Sequence, residues 1–134
     1  MALPDIPVVD GNGGLTGNAA AVLGEVEALL DGLLRTAEGG MIDIRGLPLS
    51  AADRRWLQAQ LGEGEVEVRL SIAGASRILE TAYPGVWWIE HRDERDNLVS
   101  EFIQVAYVPE LISAHPDDVE GGLDLLRSRI AELS

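Results

Sequence analysis

There is no cysteine anywhere in the chain. Without thiolates it forms no disulfide and has no sulfur ligand for zinc, nickel, copper or an iron–sulfur cluster. Lysine is absent too: all 10 basic residues are arginine, set against 23 Asp and Glu, for a net charge of −13 and a pI near 4.3. Such a balance argues against a nucleic-acid partner, because binding phosphates needs clustered basic residues to release counterions. It favours partners that are basic, if charge steers them. No run approaches the roughly 18 apolar residues of a membrane span. The opening MALPDIPVVDGNGG lacks a basic segment followed by an apolar stretch, so no secretory signal and a cytoplasmic location are expected. Aromatic residues are scarce as well, at 4% of the chain.

What is present is enough apolar residue, 46% of 134, for one packed core. Residues 1–17, with scattered Pro and Gly, read as a flexible tail or loosely docked arm, and residues 18–134 as a single domain. Val22, Val26, Leu29, Leu30, Leu33 and Leu34 recur at helical spacing and predict a helix over 18–37, stopped by Gly39 and Gly40. Met41 to Arg45 is expected to be a short strand. A second helix starts at Ser50 as N-cap, with Asp53 as a weak capping box, and ends at Leu61 with Gly62 in the left-handed region.

From Glu63 the pattern alternates, placing Val66, Val68, Leu70 and Ile72 on one face of a strand. A turn at Ala73–Ala75, a strand from Ser76 to Tyr83, a third strand from Val86 to Arg92, a polar turn DERDN and a strand from Leu98 to Tyr107 complete a meander. A last helix from Asp117 as N-cap carries Val119, Leu123, Leu126, Ile130 and Leu133 in a single stripe that needs a surface to cover it. The order predicts an α+β fold, a mostly antiparallel sheet of about five strands with helices packed on one face.

Motifs that carry chemistry are few. DGNGGLTG has Thr16 where a dinucleotide-binding loop needs glycine, and no lysine serves a P-loop. His91 lies near Asp93, Glu94 and Asp96, but the spacing fits a solvated hairpin turn better than a cation loop. With no cysteine nucleophile, no GxSxG elbow and no metal cluster, no catalytic, cofactor or metal residue is assigned, and the chain is expected not to be an enzyme. Glu63 and Glu65 project from a helix-to-strand corner in a chain already overloaded with negative charge.

Five of the aromatic residues fall between Tyr83 and Tyr107, with Trp87 and Trp88 adjacent. Adjacent strand residues leave the backbone on opposite sides, so one tryptophan is expected in the core and the other at an interface. Both sheet faces in this region are partly apolar. The second face calls for cover by the N-terminal arm, by another copy or by a partner. The candidate contact residues are Glu63, Glu65, Glu80, Trp87 and Trp88. Three readings stay open: an assembly chaperone, a small-ligand site or enzyme anchored on a carboxylate such as Glu80, and a structural homodimer.

Ile44 to Ile112 carries LGEGEV (Leu61 to Val66), ETAYPGVWW (Glu80 to Trp88) and VPELI (Val108 to Ile112) in one collinear block. This block resembles the conserved C-terminal region of the HupH/HyaF hydrogenase expression family. The resemblance implies an accessory protein in maturation of an uptake nickel–iron hydrogenase. It implies as partner the precursor of the hydrogenase small subunit, which carries iron–sulfur clusters and is exported, or other maturation proteins. Family members are longer, with two related modules, so either a single-module relative or a dimer restoring the pair is implied. A negatively charged chain would suit a basic export signal on such a partner.

Overall fold

The computed structural model describes residues 14–71 and 74–134. Helix α1 spans Asn18–Thr36, strand β1 Gly40–Asp43, helix α2 Ala51–Leu61, strand β2 Glu67–Leu70 and strand β3 Ala75–Glu80. Strands β4 (Val86–Arg92) and β5 (Leu98–Val105) follow, then a short 3-10 turn at Glu110–Ile112 and helix α3 (Pro116–Leu133). All strand pairs are antiparallel, in the order β1-β5-β4-β3-β2. The expected α+β architecture is thus the observed one. The meander β2 to β5 is local, whereas β1 crosses to the far edge and pairs with β5, with Ile42 opposite Ile103.

Register places Val86 and Trp88 of β4 beside Val105 and Ile103 of β5 on the face covered by α1 and α2. Ala19, Val22, Val26 and Leu33 of α1 and Leu57 and Leu61 of α2 are buried against them. That burial, at a few tenths to about 3 kcal/mol per side chain, is the main source of stability. Helix α2 begins with a complete capping box: the Ser50 hydroxyl accepts from the Asp53 N–H at 3.0 Å, and the Asp53 carboxylate accepts from the Ser50 N–H at 2.9 Å. The box that looked weak in the sequence is reinforced by residues ahead of α1, since Thr16 donates to Asp53 through both its N–H and its hydroxyl. The Ser50 hydroxyl in turn donates to the Gly14 carbonyl at 2.6 Å. Residues 14–17 are therefore docked on α2; the rest of the expected tail lies outside the described residues. Burial pushes the Asp53 pKa up, but the hydrogen bonds from Thr16 and Ser50 outweigh it and hold the carboxyl below its ordinary value.

The opposite face carries a second apolar cluster of Ile78, Trp87 and Ile89, flanked by Val68, Leu70 and Phe102. Trp87 and Trp88 do leave β4 in opposite directions, yet both are buried, at 7% and 3% exposure. The expected outward tryptophan is not found. The chain leaving β5 explains this: the Trp87 indole N–H donates to the Ala106 carbonyl at 3.0 Å, Pro109 is buried, and the Glu110 N–H reaches the Gln104 amide oxygen at 3.4 Å.

Other differences are local. Gly62 has positive φ but an extended ψ of −164°, so it is not left-handed helical. Strand β3 stops at Glu80, because Thr81 turns away to accept from the Tyr83 N–H. Strand β5 ends at Val105 and not at Tyr107. Helix α3 is capped by His115, whose ring nitrogen accepts from the Asp117 N–H at 3.1 Å, and not by Asp117. Ile72 and Ala73, in the expected strand end and turn, lie outside the described residues. The helical layer consists of α1 and α2; every residue of α3 is exposed. Among the described residues, no helix is long and apolar enough to cross a membrane.

Candidate functional site

The corner after α2 is fastened to the end of β3. The Gly62 N–H closes the last turn of α2 on the Gln58 carbonyl at 2.9 Å, and the chain then reverses. The Gly64 N–H donates to the Glu80 carbonyl at 2.8 Å, the Glu65 N–H to the Glu80 carboxylate at 2.9 Å, and the Ala82 N–H to the Leu61 carbonyl at 2.9 Å. Glycine is required at 64 because a Cβ there would lie 2.5 Å from both the Glu80 carboxylate and the Thr81 carbonyl oxygen. Thr81 is buried and its hydroxyl donates to the Val86 carbonyl at 2.9 Å, which locks the turn between β3 and β4. LGEGEV and ETAYPGVWW, 13 residues apart from the last of one to the first of the other when counted along the chain numbers 66 to 80 exclusive, are one structural unit.

This unit borders a surface groove of about 410 Å³. Leu61, Leu79 and Trp88 give it apolar lining, and Glu63, Glu65, Glu67 and Glu80 line it with carboxylates; Arg77 is the one basic lining residue. Glu63 and Glu65 are exposed, while Glu80 is half-buried and committed through one oxygen to the Glu65 N–H. A hydrogen bond from Arg69, at 2.6 Å, holds the Glu67 pKa below its usual range, so this carboxylate stays charged. Arg77 is loosely held: its guanidinium is 3.6 Å from Glu67 and 3.5 Å from Glu90. The Trp88 indole N–H is buried and has no hydrogen-bond partner among the described residues, and the same holds for the Arg77 Nε. A buried donor without a partner costs about 1–3 kcal/mol.

Four of the five candidate residues, Glu63, Glu65, Glu80 and Trp88, therefore meet in one groove. Trp87 does not: it belongs to the cluster on the other face. Sequence reasoning missed Glu67, Arg77 and Thr81. For Arg77 the signal was strand alternation, which sets it across from Glu90 on β4. It also missed a neighbouring pair of buried carboxylates, Glu90 and Glu101, directly opposite each other on β4 and β5. Arg54 of α2 reaches Glu101 at 2.9 Å, while Arg77, shared with Glu67, comes within 3.5 Å of the Glu90 Oε1, which has no hydrogen-bond partner among the described residues. His91 is engaged with the Ser76 hydroxyl at 2.7 Å and sits edge-on to Phe102, while the Asp93 carboxylate accepts the Arg95 and Asn97 N–H groups of the hairpin turn. Among the described residues, no group of three or more His, Asp or Glu is placed to hold a metal ion.

An antiparallel sheet with α1 and α2 on one face and an acidic groove between α2 and β3 defines a small α+β module. Residues 16–133 match the family described as "HupH hydrogenase expression protein, C-terminal conserved region", and the chain belongs to that family. It is 34% identical over 115 residues to the hydrogenase expression/formation protein HoxQ of Azotobacter vinelandii, covering 82% of this chain and 40% of that protein. To the hydrogenase-1 operon protein HyaF of Escherichia coli it is 30% identical over 83 residues, 62% of this chain and 29% of that one. The chain thus spans well under half the length of these relatives. Among solved structures, hydrogenase expression protein HupH from Thiobacillus denitrificans superposes with a TM-score of 0.83 at 44% identity, covering 89% of this chain and 99% of that one.

Proposed function

We propose that the chain is a non-enzymatic accessory module of hydrogenase maturation, and that its acidic groove holds a basic, extended segment of a hydrogenase component. The observation that carries this reading is the convergence of Glu63, Glu65, Glu67 and Glu80 on one groove whose apolar lining is Leu61, Leu79 and Trp88. A basic side chain of the bound segment meets the carboxylates, an arrangement that gives steering and register more than raw affinity. The relatives, hydrogenase expression and formation proteins, supply the hydrogenase context. The favoured component is the precursor of the iron–sulfur small subunit, held in the cytoplasm before export, because an export signal rich in basic residues matches the groove.

The test is affinity capture of this chain from cells expressing a hydrogenase operon, at low salt, beside the double variant Glu63→Gln/Glu65→Gln. The wild type should retain a hydrogenase subunit and the variant should lose most of it while melting at the same temperature, since both side chains are exposed. Capture of no hydrogenase component, or equal capture by both proteins, would sink the reading. A small cationic ligand is the second reading, since the groove volume lies in the range of ligand sites, roughly 300–1,000 Å³; the exposed carboxylates of Glu63 and Glu65 favour a macromolecule.

A further inference from the structure

Helix α3 is an amphipathic helix with nothing on its apolar side. Val119, Leu123, Leu126, Ile130 and Leu133 are 45–74% exposed, and their spacing of four, three, four and three is that of a coiled-coil seam. The helix also contains Gly121 and Gly122, where an added Cβ would meet nothing within 4 Å. Each glycine disfavours the helix relative to alanine. A helix of 18 residues with that handicap is marginal by itself, because most helical stability in proteins comes from packing an amphipathic face. The α3 seam therefore needs a partner surface.

We propose that the partner is α3 of a second copy, packed antiparallel. Charge decides the orientation. Asp117, Asp118, Glu120 and Asp124 load the first half of α3 with acid; in the second half Arg129 is paired with Glu132 at 3.6 Å, and Arg127 is the other basic residue. In a parallel pair, where flanking positions on one side of the seam face those on the other side, Arg127 would lie across from Gly122 of the second copy and go unpaired. An antiparallel pair that stacks Val119 on Ile130 and Leu123 on Leu126 puts Glu120 beside the partner copy's Arg127 at both ends of the seam, and opposes the helix dipoles favourably. The other apolar surface on offer is the groove of about 350 Å³ between α1 and α2, lined by Leu23, Val26, Leu30, Leu61 and Tyr83. It is the poorer match, because Glu27 lines it and would meet the acidic half of α3 with like charge. The self-pairing is independent of the hydrogenase reading.

Sedimentation equilibrium of the full chain tests it. The wild type should be a dimer, and Leu126→Asp should weaken association at least ~100-fold, as expected for a charge placed in the centre of an apolar seam, with the near-ultraviolet signal of the tryptophans unchanged. Glu120→Arg and Arg127→Glu should each weaken the dimer, and the double variant should restore it. Because the chain has no cysteine, a mixture of Glu120→Cys and Arg127→Cys chains should cross-link under mild oxidation while Glu120→Cys alone does not. A wild type that stays monomeric at high micromolar concentration overturns the proposal. So does a dimer that survives Leu126→Asp, or one that dissociates on Leu30→Arg, which would put the contact in the α1–α2 groove.

Discussion

Trp87→Phe and Trp88→Phe remove the same atoms from two adjacent buried rings, and they should not cost the same. Both side chains are nearly inaccessible, so the loss of ring volume is common to the two and cancels in the comparison. What differs is the indole N–H. That of Trp87 donates to the Ala106 carbonyl at 3.0 Å; its removal costs about 1 kcal/mol for the bond, and more where the carbonyl is left dry. That of Trp88 has no partner among the described residues, so its removal relieves a penalty of about 1–3 kcal/mol. Trp88→Phe should then be more stable than Trp87→Phe by about 2–4 kcal/mol. In urea, with a slope of about 1–3 kcal/mol per molar, the midpoints separate by roughly 1 M or more. Coincident midpoints, or a lower one for Trp88→Phe, would refute the idea that the Trp88 donor is held unsatisfied.

Gly64→Ala should lower stability by about 1–3 kcal/mol, as overpacking does, since its Cβ would meet the Thr81 backbone; Gly24→Ala, with nothing within 4 Å, should raise it by up to about 1 kcal/mol, and thermal melts of the two compare them directly. Asp53→Asn should cost about 1–2 kcal/mol near neutral pH through the weakened cap. Because the folded Asp53 pKa is depressed, its stabilisation is present above the unfolded value near 3.9 and is lost as pH falls through the folded value, so the two unfolding curves should converge below about pH 4. Arg54→Met strands Glu101, which is 2% exposed, and should cost about 3 kcal/mol. Arg54→Met/Glu101→Leu should recover most of that in denaturant titrations.

The sequence by itself determined the elements and their order. Helix α1, the cap at Ser50 and the meander follow from local periodicity and turn chemistry, and these act within a few residues. It also determined that Trp87 and Trp88 part company, since strand geometry leaves no other choice. What covers each of them is a long-range matter. Burial of Trp87 depends on the chain after β5 returning across the second face, and nothing near residue 87 encodes that return. The groove was half legible: Glu63, Glu65, Glu80 and Trp88 stood out one by one, but only the pairing of β2, β3 and β4 brings LGEGEV against ETAYPGVWW and adds Arg77 and Glu67. Likewise the strength of the Asp53 cap comes from Thr16, 37 positions away. For α3 the sequence stated the need, an apolar stripe, and the tertiary structure decided that this domain's own sheet does not meet it, because the helical layer is already filled by α1 and α2.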